Sequence, residues 1–162
     1  MTPVTYEGSF EGRHLRVAVV ASRFNESIVE RLVEGALDCL ARHGVPDDYV
    51  STTWVPGAFE LPMAAKRLAA AGNVDAVVCL GAVIRGDTAH FDFVAGAAAH
   101  AIARGALETG VPITFGVLTT DTVEQASDRA GGKMGNKGFE AALAALEMAN
   151  LFESLPKPST EI

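Results

Sequence analysis

The sequence predicts an α/β protein in which a parallel sheet is covered by helices on both faces. Its 162 residues suit one domain with a sizeable core, and 49% hydrophobic with 20% charged residues is typical of globular proteins. Four apolar runs lack polar alternation, which is typical of strands buried on both faces. Segments with helical spacing separate these runs, so right-handed crossovers and a three-layer α/β/α sandwich are expected.

The four strands are predicted from the apolar runs at residues 16–21, 49–55, 75–84 and 113–119. The third is the longest: Ala76 to Ile84 contains no charged residue and reads AVVCLGAVI. We therefore expect it to be buried on both faces within a four-stranded parallel sheet.

Helices are predicted between and after the strands. The first follows Asn25 as N-cap and stops at Gly44 and Pro46, and the second begins near Glu60 with Pro62 in its first turn. The remaining helices are predicted at 90–109, 123–128 and 136–152. Residues 1–14 form an arm without a core pattern and 154–162 a flexible tail, so 1–162 is interpreted as a single domain.

Charge and composition exclude several classes of protein. A net charge of −7 without a basic stripe argues against a nucleic-acid partner, and the apolar runs are too short to span a membrane. The start of the chain does not resemble a signal peptide, and Cys39 and Cys79 read as reduced core thiols, so a cytoplasmic protein is expected. We find no spacing typical of a metal site, a P-loop or a dinucleotide fingerprint, so no metal or cofactor is expected.

The unusual residues follow the predicted strands. In an open parallel sheet, ligands bind beyond the carboxyl ends of the strands, where loops from several strands meet. Here the four loops are polar or contain glycine, and they span residues 22–25, 56–60, 85–90 and 119–122. Their coincidence at one edge predicts a binding site there, centred on the loop from Arg85 to His90.

The loop before the third long helix has the features of an anion site. Gly86 allows close approach of backbone N–H groups, and a helix N-terminus favours a phosphate near Asp87 and Thr88. The alternative is an ordinary turn in which Asp87 or Thr88 caps the helix. Arg129 and Lys133, in a later loop, either supply the positive charge that a phosphate needs or belong to a solvated surface.

Three further side-chain types suit catalysis or ring binding. His90 opens the helix, and an imidazole there can both donate and accept protons near neutral pH. Phe24, Phe59 and Phe115 either stack on a planar heterocycle or belong to the core. Glu60 either binds hydroxyl groups or complements a helix N-terminus.

Taken in order, these segments resemble the lumazine synthase family, over nearly the whole chain. The matching segments are SRFN (22–25), WVPGAFELP (54–62), GAVIRGDTAHFDFV (81–94), FGVLTTDT (115–122), EQA (124–126), DRAG (128–131) and NKG (136–138). The resemblance implies a flavodoxin-like fold and the condensation of 5-amino-6-(D-ribitylamino)uracil with 3,4-dihydroxy-2-butanone 4-phosphate in riboflavin biosynthesis. The products are 6,7-dimethyl-8-ribityllumazine, phosphate and water.

The resemblance also implies roles for individual residues. His90 would be the proton donor and acceptor. The ribitylaminouracil would contact Phe24, Ala58, Phe59, Glu60, Ala82, Val83, Ile84, Phe115 and Lys137. The phosphorylated ketone would be bound by Asp87, Thr88 and Arg129, and Phe115 would come from a neighbouring subunit.

The resemblance finally implies an assembly. The short connection from Gly131 to Gly138 is similar to that of members that build sixty-subunit icosahedral shells from pentamers. The arm would add a strand to a neighbour's sheet, and riboflavin synthase is a candidate partner. Two other hypotheses remain open at the level of sequence: a flavin- or pterin-binding module without catalysis, and a purely structural shell protein.

Overall fold

The computed structural model describes residues 1–159 and confirms the predicted α/β architecture. The four-stranded sheet is wholly parallel, with the order β2-β1-β3-β4. Its strands are β1 (Val17–Ser22), β2 (Val50–Val55), β3 (Ala76–Ile84) and β4 (Ile113–Thr120). The helices are α1 (Glu26–Arg42), α2 (Leu61–Ala70), α3 (His90–Thr109), α4 (Val123–Arg129) and α5 (Lys137–Ser154).

The two central strands, β1 and β3, are buried on both faces, as their apolar runs predict, whereas the edge strand β2 is partly exposed. Along β1, Val17, Val19 and Ala21 pack against α1 and α5, while Ala18 and Val20 point to the opposite side, towards α2 and α3. Side chains on neighbouring strand positions point to opposite faces, so one apolar strand supplies both cores. The helices therefore form two outer layers around a continuous hydrophobic sheet.

Helices α1 and α5 approach each other closely at Gly138. A Cβ atom placed on Gly138 would lie 2.0 Å from the carbonyl oxygen of Leu32, and Gly138 itself is buried. Only glycine allows the two backbones to pack at this distance. The first turn of α5 is further secured by Asn136, whose Oδ1 accepts hydrogen bonds from the backbone N–H groups of Gly138 and Phe139 at 2.8 and 3.1 Å.

Asn25 precedes α1 as predicted, but its side chain does not cap the helix. The residue adopts a left-handed conformation with φ of 62°, and its Nδ2 donates a hydrogen bond to the carbonyl oxygen of Ala82 at 2.9 Å. The N-cap position is confirmed, but the side-chain bond of a usual cap is absent because a partner distant in sequence competes for this side chain. Asn25 thereby ties the β1–α1 loop to the end of β3.

The segment between α4 and α5 contains a small antiparallel hairpin that the sequence analysis did not predict. Its strands are β5 (Ala130–Gly132) and β6 (Gly135–Asn136). Gly131 and Gly135 have φ of 92° and 83°, a backbone conformation that L side chains rarely adopt. The glycines seen in the sequence therefore shape a tight hairpin.

The arm at residues 1–14 has no helix or strand, and part of it lies against its own chain. Asn150 on α5 donates hydrogen bonds from Nδ2 to the carbonyl oxygens of Ser9 and Glu11 at 2.8 and 2.9 Å. At the other end, Ser154 still belongs to α5, so the irregular tail begins at Leu155 and not at Ser154. Residues 160–162 of the predicted tail lie outside the described residues.

No helix formed by residues 1–159 combines the length and the apolar character needed to cross a membrane.

Candidate active site

A cleft of about 730 Å³ opens at the carboxyl edge of the sheet, where the sequence predicts a binding site. Its walls come from the loop after β1, the turn after β2, the end of β3 and the beginning of α3. Among the predicted site residues, those that line it are Phe24, Ala58, Phe59, Glu60, Ala82, Val83, Ile84, Thr88 and His90. Four separate segments of the chain thus meet around one space.

Exposed aromatic rings form much of this cleft. Phe24 is 72% exposed and Phe59 is 63% exposed, so neither belongs to the core. Both line the cleft, where a ring face can stack on a planar ligand. The core interpretation left open by the sequence is therefore wrong for these two residues.

Some polar groups of the cleft already form hydrogen bonds to other groups of the same chain. Glu60 is exposed, and its Oε2 accepts a hydrogen bond from the backbone N–H of Gly57 at 3.0 Å. Through this bond one of the two carboxylate oxygens of Glu60 satisfies a backbone N–H at a helix start, as one of the two interpretations of Glu60 predicts. The carbonyl oxygen of Ala82 already accepts the Asn25 bond, although a carbonyl can accept a second donor.

The loop leading to α3 is exposed from Arg85 to His90. Ala89 is the N-cap and makes no capping bond through its side chain, whereas the Thr88 hydroxyl accepts a hydrogen bond from the backbone N–H of His90 at 3.3 Å. His90 lies in the first turn of α3 and lines the cleft. A helix N-terminus and an imidazole therefore face the same space as the aromatic rings.

Asp87, Phe115, Arg129 and Lys137 do not line the cleft of their own chain. Phe115 pairs with Cys79 in the middle of β3, well before the carboxyl edge, and is 44% exposed. The guanidinium of Arg129 donates to the carbonyl oxygen of Gln125 at 3.0 Å, and the ammonium of Lys137 pairs with Glu140 at 2.9 Å. One chain thus assembles the ring-binding part of the predicted site but not all of its charged part.

The cleft is also lined by Phe91, Phe93 and Val94, which were not predicted as site residues from the sequence. Phe93 is 76% exposed, which is unusual for a phenylalanine on a long helix. The sequence does contain a signal for this contribution to the cleft. Phe93 and Val94 follow His90 by three and four positions, so they share its face of the helix.

A second hollow of about 410 Å³ lies between the arm and the end of α1, lined by Phe10, Glu11, Arg13, Arg42, His43 and Gly44. Its two arginines are already paired with carboxylates, Arg13 with Glu11 and Arg42 with Asp38. Their charges are therefore neutralised within the chain, and the hollow is not a candidate active site.

Within residues 1–159, no group of three or more His, Cys, Asp or Glu side chains is placed to hold a metal ion. What the structure does offer is stacking surfaces, a helix N-terminus and an imidazole at the carboxyl edge of a parallel sheet. The fold and the cleft are typical of α/β enzymes, which bind their ligands at this edge of a parallel sheet.

Comparison with known proteins identifies the family. The family profile of 6,7-dimethyl-8-ribityllumazine synthase matches residues 14–153. A protein of that name from Clostridium kluyveri is 53% identical over 150 residues, which cover 93% of this chain and 97% of the relative. The chain belongs to the 6,7-dimethyl-8-ribityllumazine synthase family, whose members are transferases of riboflavin biosynthesis.

Proposed function

We propose that the cleft is the site at which 5-amino-6-(D-ribitylamino)uracil condenses with 3,4-dihydroxy-2-butanone 4-phosphate. The observation that carries this proposal is that Phe24, Phe59 and His90 line one cleft while remaining exposed. Exposed rings suit a flat pyrimidine, and a nearby imidazole suits a reaction in which protons move at each step. Family membership supports the same reaction.

The pyrimidine and its ribityl chain are assigned to the apolar side of the cleft. Phe24 stacks on the ring, and the ends of β3 at Ala82, Val83 and Ile84 present backbone groups to its edge. Ala58, Phe59 and Glu60 hold the ribityl chain and the ring. Glu60 suits hydroxyl groups because its carboxylate is at the exposed rim and can accept their hydrogen bonds.

The phosphorylated ketone is assigned to the beginning of α3. Backbone N–H groups near Asp87 and Thr88 lie at a helix N-terminus, which favours a phosphate. Because a carboxylate repels phosphate, Asp87 contributes through its backbone. Arg129 is assigned the positive charge, although in the single chain its guanidinium lies outside the cleft and donates to the carbonyl oxygen of Gln125.

The chemistry needs orientation and proton transfer. The substrate amine attacks the ketone and an imine forms with loss of water. Phosphate then leaves, the resulting enol tautomerises, and the second nitrogen closes the ring with loss of water. His90 accepts and returns protons during these steps, while the cleft holds the two reactants in a reactive geometry.

The active form is proposed to be a homo-oligomer of pentamers that assembles into a sixty-subunit shell. The chain leaves large apolar side chains on its surface, among them Leu107 at 85% exposed and Phe93 at 76% on α3. In such an assembly Phe115 and Lys137 complete a neighbour's site, and the arm adds a strand beside β2, whose outer edge is unpaired in the sheet. Riboflavin synthase is the proposed protein partner.

A cytoplasmic location is proposed on the state of the cysteines. Cys39 and Cys79 are both free and buried, and they pack in cores on opposite faces of the sheet. Burial raises the pKa of the Cys79 thiol to about 12 and, together with the nearby carboxylate of Asp38, that of Cys39 to about 11. Unreactive core thiols without disulfides are typical of a reducing compartment.

The reaction is tested by mixing the purified full-length chain with both substrates and following the fluorescence of the lumazine product together with release of phosphate. The expected result is stoichiometric formation of both products. Binding of a flavin or pterin without turnover would contradict the proposal and favour a binding module. A sixty-subunit particle without turnover would favour a structural shell.

A further inference from the structure

Arg85, the first residue after β3, lies between the cleft residues Ile84 and Gly86 and joins three segments of the chain. Its Nε donates to Asp121 Oδ1 in the β4–α4 loop at 3.0 Å, and its Nη2 donates to Asp92 Oδ1 in the first turn of α3 at 3.4 Å. Its guanidinium carbon lies 4.3 Å from the centroid of the Phe91 ring. The backbone N–H of Arg85 donates to the carbonyl oxygen of Thr120 at 2.8 Å.

The loop that follows Arg85 has few other ties. Within residues 1–159, the hydrogen bonds recorded for residues 86–89 reach no further than the first turn of α3, from the N–H of His90 to Thr88 and from that of Asp92 to Ala89. Gly86 has no heavy atom within 4 Å of the place where its Cβ would be. The side chain of Arg85 is therefore the main connection between this loop and the neighbouring β4–α4 loop.

The connection continues into α4. The backbone N–H of Asp121 donates to Gln125 Oε1 at 2.8 Å, and Arg129 Nη1 donates to the carbonyl oxygen of Gln125 at 3.0 Å. A continuous path of bonds thus runs from the first turn of α3, which carries His90, through Arg85 to the helix that carries Arg129.

An arginine suits this place better than a lysine. The planar guanidinium directs donors towards two carboxylates while its face stacks on a ring, which a single ammonium group cannot do. The side chains of Arg85, Asp92 and Asp121 are 44%, 63% and 68% exposed. Exposed ion pairs contribute little to folding stability, so the arrangement is expected to act on local geometry.

We propose that Arg85 is a positioning residue for the condensation. It sets the placement of the turn that carries His90 relative to the β4–α4 loop. Because its guanidinium is engaged by Asp92 and Asp121, Arg85 itself does not bind the substrate phosphate. This inference rests on the role proposed above for His90.

The test compares Arg85→Gln, Arg85→Lys and Asp121→Asn by steady-state kinetics of lumazine formation, with each substrate varied in turn. The Arg85→Gln variant is expected to lower kcat by about 10- to 100-fold with little change in KM for either substrate, since misplacement of a catalytic group acts mainly on the chemical step. Lysine is expected to restore only part of the loss. The control is Arg42→Gln, which breaks an exposed ion pair with Asp38 on α1 and should keep the wild-type kcat.

We call the Arg85–Asp121 pair the clamp, because it connects the two loops. A double variant distinguishes such a clamp from two independent effects of Arg85 and Asp121 on kcat. If Arg85 and Asp121 act as one unit, Arg85→Gln combined with Asp121→Asn lowers kcat no further than Arg85→Gln alone. Multiplied losses in the double variant would overturn the proposal. An unchanged kcat in Arg85→Gln would also overturn it, as would a raised KM for the phosphorylated ketone at constant kcat, which would make Arg85 a direct phosphate ligand.

The test keeps the two proposals separate. Asp121 is largely exposed, so Asp121→Asn tests the clamp even if Arg85→Gln does not fold. Absence of turnover in the wild type would refute the proposed function, and full turnover in His90→Ala would refute the assignment of His90. Normal kinetics of the Arg85 and Asp121 variants in an active wild-type background would refute the clamp alone.

Discussion

Exposure and backbone conformation distinguish the residues of the cleft from ordinary core residues. Phe24 is 72% exposed although it lies only two residues after the buried strand β1. The neighbouring Asn25 is the one non-glycine residue with positive φ among residues 1–159. Residues in sparsely populated conformations concentrate at functional sites, where the surrounding contacts hold them in place. Here the bond from Asn25 to Ala82 keeps the loop that carries Phe24 at the cleft.

For single residues, the most direct prediction concerns the variant His90→Ala. Loss of a general acid–base group is expected to slow lumazine formation by about 100-fold or more. The thermal unfolding temperature should hardly change, because the side chain is exposed. Fluorescence kinetics and circular dichroism measure the two effects.

The matched control is His100→Ala, since His100 is also exposed on α3 but lies outside the cleft. It is expected to retain wild-type turnover. Equal rates for His90→Ala and the wild type would remove His90 from the mechanism.

At the level of elements, the cleft depends on how α2 and α3 are held together. Lys66 on α2 and Arg104 on α3 both donate hydrogen bonds to the carboxylate of Glu108 on α3. The two helices that flank the cleft are therefore linked by an ion-pair network of three residues as well as by their apolar contact.

This ion pair predicts a pH dependence of stability. The hydrogen bonds from Lys66 and Arg104 lower the pKa of Glu108 from 4.5 to about 2. Because the folded-state pKa lies below the unfolded value, the contribution is present above about pH 4.5 and is lost as the pH falls through about 2. Glu108→Gln should therefore melt below the wild type at neutral pH, and the difference should shrink as the pH is lowered over this window.

Differential scanning calorimetry at several pH values measures this difference. Glu34→Gln serves as the control, since Glu34 is exposed on α1 and no ion pair is recorded for it within residues 1–159. A melting difference for Glu108→Gln that is constant down to pH 2 would contradict the linkage.

Because α1 and α5 are in close contact at Gly138, the stability of the fold is expected to be sensitive to the size of the residue at this position. An alanine at position 138 would place its Cβ against the Leu32 carbonyl group, with the nearest atom at 2.0 Å. Forcing the helices apart is expected to cost about 1–3 kcal/mol of unfolding free energy, or more. Urea unfolding measures the change.

Gly96→Ala is the matched control within a helix, because no heavy atom lies within 4 Å of the added Cβ. Alanine favours helix over glycine by roughly 1 kcal/mol, so this variant should be as stable as the wild type or more stable. Equal effects of the two substitutions would show that the close approach at Gly138 is not decisive.

At the scale of the whole molecule, one chain does not contain every predicted site residue within its cleft. Phe115 is near the middle of the sheet, and Lys137 begins α5, both away from the cleft. If the proposed assembly brings these side chains to a neighbour, each active site belongs to two subunits.

Complementation between inactive variants tests this sharing. His90→Ala and Phe115→Ala should each be weakly active alone. After mixed refolding, sites that combine the intact His90 of one subunit with the intact Phe115 of the next should recover about a quarter of wild-type turnover, as expected for random neighbours in a ring. Light scattering on the same samples measures the size of the particle.

Simple averaging of the two variants' activities, without recovery, would contradict a shared site. A monomer by light scattering would contradict both the shared site and the shell.

The local pattern of the sequence was enough to predict the main elements of the fold. The length and apolarity of β3, the helical spacing of α3 and the stop signal at Gly44 depend on neighbouring residues only, and the structure agrees with them within one or two residues. The hairpin at 130–136 was missed because its strands have three and two residues, too short for any periodicity to show.

The sequence by itself determined the layers of the fold, the edge at which the cleft lies and the family. Each follows from periodicity, from the rule that parallel strands end at a common edge, and from motifs contiguous in the chain. The tertiary structure alone decided which residues share the cleft, that Asn25 bonds to β3, and that Arg85 links three segments. These contacts join residues distant in sequence, and their geometry depends on packing that no local pattern records.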